Sequence, residues 1–449
     1  MGRLFGAEGV RGMAVSELTC ELAMQIGRAL ALVLTKKMSR KPEIYIGKDT
    51  RISSDILESA LCAGICSVGA DTVKLGILPT PAVAYFVKEK SADSGIMISA
   101  SHNNVEFNGI TLFSADGSKL SDDIEEEIER LVLDSPEEIA LASGIAVGKM
   151  TVYENAADEY TEHIAELSDC DLSGMKIAVD CANGSTSVTA ERILKKLGAE
   201  PIMYANEPDG TNINKDCGST HIGNLMEFVA EKECACGIAF DGDGGRCLAV
   251  DENGELIDGD KILAILATDY KKKEKLKDNS VVVTSLSNFG FNIFAKNSGI
   301  NVITTAGGGK YIVEKMKDTG CNLGGEQSGR IIFPDESSAA DGQLTGIKLL
   351  GILAESEKKM SELADIMCKL PQVMMNVPIN PKYKEMWKNN TEITSLIEKY
   401  EEELGENGRI IVRENGSEPM IRVMAEHKEF SKANSIAVDI ADTIKKHTL

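Results

Sequence analysis

The chain has 449 residues, 43% hydrophobic and 26% charged, with a formal net charge of −22, too long for one hydrophobic core and therefore expected to form several packed domains. The acidic balance argues against a nucleic-acid partner, which demands a basic face, and no apolar run approaches the ~20 residues that span a bilayer. The start, Met1-Gly2-Arg3-Leu4-Phe5-Gly6, lacks the apolar core of a secretory signal, so no membrane association and a cytoplasmic location are the expectations.

From the N-terminus, residues 43–47 (EIYIG) read as a buried strand, 54–69 as an amphipathic helix and 72–77 as a second strand. The unit recurs as 176–180 (KIAVD) with a helix over 186–197, then as 281–284, then as the Asn301 region with a helix over 310–317. Strands alternating with helices of this length predict βαβ units and mostly parallel sheets.

A weak internal repeat runs through the same stretch. Residues 95–100 (GIMISA), 237–240 (GIAF) and Asn322-Leu323 each lead into a polar, Gly-rich loop: SHNN, DGDGGR and GEQSGR. A short apolar strand follows each, at 110–113, 247–250 and 331–333. Ligands of open α/β sheets bind beyond the carboxyl ends of strands, so three such loops would meet in one cleft. Residues 371–381 (PQVMMNVPINP) read as a hinge into a last module: helix 383–403, strand, loop, strand 420–426 and helix 430–446. The expected fold class is α/β: three related mixed-sheet α/β domains (1–152, 153–255, 256–370) and a C-terminal two-layer α+β domain (371–449), around a central cleft.

The 11 cysteines do not form a metal or disulfide framework. Cys62, Cys66, Cys181, Cys247 and Cys321 fall in or beside apolar runs and read as small buried hydrophobes. Cys234 and Cys236 lack the second pair that a zinc site needs. Reduced thiols are the simplest account.

Four loops carry chemistry. In Ser99-Ala100-Ser101-His102-Asn103, the serine at a strand end is either a nucleophile or a turn residue, and no G-x-S-x-G elbow supports a hydrolase. In Asp241-Gly242-Asp243-Gly244-Gly245-Arg246, two carboxylates joined by glycine can face one hard cation such as Mg2+, with an arginine to meet a phosphate oxygen; a plain D-G turn is the competing reading. Gly324-Gly325-Glu326-Gln327-Ser328-Gly329-Arg330 offers donors and acceptors suited to sugar hydroxyls or an amine. Arg413-Glu414-Asn415-Gly416-Ser417-Glu418-Pro419, with Arg422 on the next strand, reads as a phosphate cradle.

In their chain order and across the whole length, these loops resemble the active-site loops of the phosphohexomutase superfamily. The stretches at 5–12 (FGAEGVRG), 99–103, 257–260 (IDGD), 286–288 (LSN) and 324–329 are most similar to its bacterial phosphoglucosamine mutase branch. That resemblance implies a phosphoserine at Ser101, with His102, Arg11 and Arg246 assisting catalysis. It implies Mg2+ held by Ser101, Asp241 and Asp243, and a hexosamine phosphate bound through Glu326, Gln327 and Ser328. Arg413, Asn415, Gly416, Ser417 and Arg422 would grip the phosphate that is not reacting. The implied activity interconverts glucosamine 6-phosphate and glucosamine 1-phosphate through a 1,6-bisphosphate, feeding UDP-N-acetylglucosamine and cell-wall synthesis, with a homodimer as the oligomeric expectation.

The chain departs from the family pattern inside the loops. Gly245 stands for a third aspartate, Thr111 for a lysine, Arg330 for a histidine and Asn104 for a proline. Ala7-Glu8 stands for Thr-Asp, Gly307-Gly308-Gly309-Lys310-Tyr311 for V-G-D-R-Y, and Asn415 and Ser417 for Ser and Thr. Two readings stay open: an active mutase in which water replaces the third carboxylate and Lys310 or Arg330 compensates electrostatically, or a catalytically impaired sugar-phosphate-binding paralogue with a regulatory or partner-binding role. A mutase for another hexose phosphate is a variant of the first. A dinucleotide-binding dehydrogenase finds no support, because no G-x-G-x-x-G opens a helix after the first strand.

Overall fold

The computed structural model describes residues 2–38, 40–380, 382, 387–414 and 419–448. Its strands form four sheets. The first contains β1 (Val10–Met13), β2 (Glu43–Lys48), β3 (Asp71–Ile77), β4 (Ser94–Ile98), β5 (Phe107–Ser114) and β6 (Met150–Val152), in the order β1-β5-β4-β2-β3-β6. The second contains β7 (Lys176–Asp180), β8 (Glu200–Tyr204), β9 (Cys236–Phe240), β10 (Cys247–Val250) and β11 (Leu256–Ile257), in the order β11-β10-β9-β7-β8. The third joins β12 (Ser280–Thr284), β13 (Asn301–Thr305), β14 (Gly324–Gly325) and β15 (Ile331–Ile332), in the order β13-β12-β14-β15.

The inner strands are parallel and buried on both faces, which is why β4, β7, β9 and β12 read as continuous apolar runs. Each of these three sheets also carries an antiparallel hairpin, β4–β5, β9–β10 or β14–β15, and in the first two β1 and β11 add antiparallel outside it. The hairpin makes each sheet mixed rather than mostly parallel, and its loop is in each case the polar Gly-rich segment of the internal repeat. The repeat in sequence is a repeat in architecture.

Two helix expectations need correction. The segment 186–197 opens as a 3-10 turn over Ser185–Val188, and the α-helix runs only over Ala190–Lys196, because Thr189 leaves helical geometry at φ −128°. The helix expected from residue 383 runs over Thr391–Leu404; Asn390 stops it short by accepting from the backbone N–H groups of Glu392 and Ile393 as N-cap. Residues 383–386 lie outside the described residues. The segment read as a hinge contains a strand, β16 (Gln372–Pro378), at the edge of the last sheet, where a proline needs no ladder partner.

By packing, the chain falls into two compact units: Met1–Leu286 with Asn301–Asp365, and Ser287–Ile300 with Ile366–Leu449. The second unit is a two-layer α+β body. β16, β17 (Gly408–Glu414) and β18 (Met420–His427) form its antiparallel sheet, in the order β16-β18-β17. Val377, Ile421 and Val423 meet Ile436, Ile440 and Ile444 of the helix Phe430–Thr448 in its core. All 11 cysteines are free thiols, and Cys62, Cys66, Cys181, Cys234, Cys236, Cys247 and Cys321 are buried. Among the described residues, no helix is long and apolar enough to cross a membrane.

Candidate active site

Ser101 lies just past the carboxyl end of β4, fully buried, with φ +52°. That conformation is uncommon for a residue with a side chain and persists only when its surroundings over-determine it. Here they do. The Arg51 guanidinium donates to the carbonyl oxygens of Ser101 (3.1 Å), Asn103 (2.8 Å) and Asn104 (3.0 Å). Asn214 Nδ2 donates to the carbonyls of Ser101 (2.8 Å) and Asn103 (2.9 Å). Arg51 is itself paired with Asp49 at 3.0 Å, both side chains fully buried. Asp49 accepts from the Ser99 hydroxyl (2.5 Å), which in turn accepts the Ser101 N–H (2.9 Å).

The Ser101 hydroxyl donates to Asp241 Oδ2 at 2.5 Å, and His102 Nδ1 lies 3.5 Å from the same Oγ. The two loops can touch because residue 242 is glycine: a Cβ there would sit 2.7 Å from the Ser101 carbonyl oxygen. Asp241 Oδ1 accepts the Arg246 backbone N–H (3.0 Å), and Arg246 Nε stands 3.8 Å from Oδ2. Asp243 accepts from the Thr80 hydroxyl (2.7 Å) and the Gly245 N–H (3.3 Å).

The two buried carboxylates share one field. Burial and the charge of Asp243 push the Asp241 carboxyl above its ordinary range. Burial opposes ionisation of Asp243 too, but Arg330, the Thr80 hydroxyl and Arg11 outweigh it and hold Asp243 below that range. Burial, helped by Arg246, Arg330 and Arg11, brings the His102 imidazole down to about 4, so it is neutral at physiological pH.

Arg330 forms a two-pronged pair with Glu8, Nη1 to Oε1 at 3.0 Å and Nη2 to Oε2 at 2.9 Å. Arg330 depresses the Glu8 carboxyl against the opposing effect of burial. Arg11, on β1 beside β5, reaches the same carboxylate at 3.8 Å. Thr111 donates to the Glu8 carbonyl oxygen (3.2 Å). Glu8, Arg11, Thr111, Asp243, Gly245 and Arg330 all border one cavity of about 480 Å³. Lys310 borders it too, but its ammonium is bound by Asp122 at 2.5 and 2.6 Å. Of the two cations expected to compensate for Gly245, Arg330 is the one that faces the carboxylates.

Glu326, Gln327 and Ser328 sit half-buried on the loop between β14 and β15, with Ser328 Oγ donating to Glu326 Oε1 (2.7 Å). They do not border the 480 Å³ cavity. In the second unit, Arg413 of β17 and Arg422 of β18 stand directly opposite in the antiparallel register, and Arg422 Nε donates to Asn376 (3.0 Å). Like charges opposed across a strand pair destabilise it, an arrangement that suits an anion between them. Asn415, Gly416 and Ser417 lie outside the described residues.

The Mg2+ that the sequence implies would need hard oxygen donors beside Ser101. Asp241, Asp243 and Ser101 supply hard oxygens of the right kind. At position 245 a Cβ would meet nothing nearer than Asp243 Oδ1 at 3.4 Å, which leaves room for water where a third carboxylate is absent. No cluster of three or more metal-ligating His, Cys, Asp or Glu occurs among the described residues. These oxygens would suit a hard divalent cation such as Mg2+.

Sequence reading missed Asp49, Arg51, Thr80 and Asn214. The first two had a usable signal, since Lys48-Asp49-Thr50-Arg51 runs off the carboxyl end of the parallel strand β2, where α/β proteins build sites.

Domain models of the phosphoglucomutase/phosphomannomutase family match the chain in order: alpha/beta/alpha domain I over residues 2–138, domain II over 158–254, domain III over 258–370 and the C-terminal domain over 374–443. Proteins named phosphoglucosamine mutase from Acetivibrio thermocellus and Clostridium acetobutylicum are each 48% identical over 446 residues, covering 99% of both chains. Two solved structures share the fold. A phosphoglucomutase/phosphomannomutase family protein from Burkholderia thailandensis gives a TM-score of 0.83 at 23% identity, covering 99% of this chain and 97% of that one. The N-acetylphosphoglucosamine mutase of Aspergillus fumigatus, solved in complex with GlcNAc-6P and magnesium, gives 0.69 at 17% identity, covering 99% and 96%.

Proposed function

Because the chain belongs to the phosphoglucomutase/phosphomannomutase family, we propose that it is a phosphoglucosamine mutase, interconverting glucosamine 6-phosphate and glucosamine 1-phosphate through a phosphoserine at Ser101. The single observation that carries this reading is the end-to-end match, at 48% identity, to proteins of that name. The fully buried Ser101–Asp241 contact at 2.5 Å supports it. Relatives matched over the full length do not favour the non-catalytic alternative.

In the proposed cycle the phosphoryl group leaves Ser101 Oγ for the C1 hydroxyl of glucosamine 6-phosphate, giving the 1,6-bisphosphate. The bisphosphate turns over, and Ser101 Oγ takes the C6 phosphoryl group, leaving glucosamine 1-phosphate. Asp241 accepts the hydrogen bond of the freed serine hydroxyl, and Asn214 and Arg51 hold the Ser101 main-chain carbonyl and with it the loop that carries the serine. Arg246 and Arg11 meet oxygens of the transferring group, while neutral His102 offers a proton acceptor beside Ser101. Mg2+, held by Ser101, Asp241 and Asp243, would neutralise charge on that group. Glu326, Gln327 and Ser328 read the sugar, and Arg413, Asn415, Gly416, Ser417 and Arg422 bind the distal phosphate. The same reading makes the protein a cytoplasmic, Mg2+-dependent phosphoprotein, homodimeric, that supplies amino-sugar metabolism.

The test has two arms. A coupled assay with glucosamine 6-phosphate, Mg2+ and a catalytic amount of bisphosphate should show turnover. Intact mass after incubation with hexose 1,6-bisphosphate should rise by one phosphate in the wild type and not in Ser101→Ala. Phosphate gain by the alanine variant would remove Ser101 from the reading.

A further inference from the structure

The loop that carries Asp241 and Asp243 is held from outside at three successive carbonyl oxygens. The Ser185 N–H donates to Gly242 (2.9 Å), the Thr80 N–H to Asp243 (2.8 Å) and the Gly342 N–H to Gly244 (2.9 Å). Thr80 and Gly342 are the first residues of two helices, Thr80–Glu89 and Gly342–Ser356, so both helices begin on this loop. At Gly342 the approach leaves no room for a side chain: a Cβ would sit 2.3 Å from the Arg246 carbonyl oxygen and 2.8 Å from that of Gly244. The two carboxylates stand where these helix starts put them.

Tyr160, on the helix Ala156–Glu166, touches both of them. Its hydroxyl donates to Asp341 Oδ2 at 2.5 Å, and Asp341 caps the helix Gly342–Ser356, with Oδ1 accepting the Leu344 N–H at 3.0 Å. Its ring lies 6.1 Å from that of Tyr85 on the helix Thr80–Glu89. Phenol and carboxylate are both buried, and neither borders the 480 Å³ cavity. Polar groups buried in this way persist only when each satisfies the other.

We propose that Tyr160 and Asp341 are positioning residues for the Asp241–Arg246 loop. By fixing the start of the helix Gly342–Ser356 beside the helix Thr80–Glu89, they set the aim of the two carboxylates and so their affinity for a divalent cation. Neither residue touches the cation or the sugar. Removal of the phenol oxygen leaves Asp341 Oδ2 buried without its donor, and the carboxylate regains one only by turning away from the cap. The Gly342 N–H then loosens, and the Gly244 carbonyl, next to Asp243 in the chain, loosens with it. The inference rests on the mutase reading only for the cation at Asp241 and Asp243.

Two readouts on the full chain test it: Mn2+ titration followed by electron paramagnetic resonance, and hydrogen exchange of residues 241–247 without metal. Tyr160→Phe should bind Mn2+ roughly tenfold more weakly, the order of one buried hydrogen bond, and should exchange faster at 241–247 while residues 430–448 exchange as before. Asp341→Leu should do the same, and the double variant should lose no more than either single one. Asp341→Asn, which keeps the cap, should stay near wild type. Ile128→Val, in the core of the first sheet, should lower the melting temperature and move neither readout. Wild-type affinity and exchange in a folded Tyr160→Phe overturn the proposal, as does an equal loss in Ile128→Val. Should Tyr160→Phe not fold by circular dichroism, Asp341→Ser decides, because serine still caps the helix but is too short to reach the phenol. Unchanged affinity and exchange in that variant overturn the proposal. If wild type binds no Mn2+, the metal part of the mutase reading fails, while exchange at 241–247 in Tyr160→Phe still decides this one.

Discussion

At the scale of single residues, the four polar loops were legible because their chemistry is local. Carboxylates two apart, an arginine three further on and a serine at a strand end are visible without a fold. The cage around Ser101 was not, because Arg51 and Asn214 lie 50 and 113 positions away from the carbonyl they hold, and no pattern announces a donor to a distant main-chain oxygen. His102 illustrates how the field of a folded site changes a residue that looks ordinary in sequence. Its imidazole titrates at about 4 in place of the usual 6.5. Between those values the unfolded chain binds more protons than the folded one, so this group adds stability as pH rises through the window and takes it away as pH falls. His102→Gln should therefore show a thermal midpoint that depends less on pH than wild type between pH 4 and 6.5, with no difference in slope above 6.5. Parallel curves across the lower window would show that the ring is not held neutral.

At the scale of elements, strand periodicity and apolar runs were read well. The parallel strands beginning at residues 43, 71, 176 and 280 fall where expected to within a residue or so. Boundaries set by capping were harder, as Asn390 and Thr189 show: a polar residue inside a periodic pattern stops or delays a helix only when its side chain or backbone takes that role. The element that matters most for the site is the β4–β5 hairpin, whose loop is held by the Asp49–Arg51 pair at the end of β2. Arg51→Met would leave Asp49 as an unpaired buried charge and remove the donor from three carbonyl oxygens. Breaking one partner of a buried pair costs about 3–5 kcal/mol. A lowered urea midpoint with an unchanged slope is expected for this variant. The double variant Asp49→Asn, Arg51→Met should recover part of the loss, since the stranded charge is gone. Additive losses in the double variant would mean that the pair is not what holds the loop.

At the scale of the whole molecule, the order of the sheets along the chain was readable, but the allegiance of one helix was not. Phe289–Ser298 sits in sequence between two strands of the third sheet, yet it packs with the C-terminal unit. Asn288 reaches Glu426 and the Leu370 carbonyl, Lys296 pairs with Glu406, and Phe291, Phe294 and Ala295 are buried. Periodicity reports that a helix has an apolar face and says nothing of which body will cover it. A fragment of residues 366–449 alone should bind a hydrophobic dye and melt without cooperativity, and a peptide of residues 287–300 added in trans should sharpen its transition. A fragment that melts cooperatively unaided would show the helix to be dispensable. This discontinuity also sets a clock on the ribosome. Once Ser298 has been made, about 150 residues remain, which at bacterial-to-eukaryotic elongation rates of about 5–20 per second is roughly 8–30 s. For that interval the helix waits for residues 366–449, the rest of its unit, which makes the nascent chain, rather than the finished protein, the form most exposed to aggregation and most in need of a chaperone.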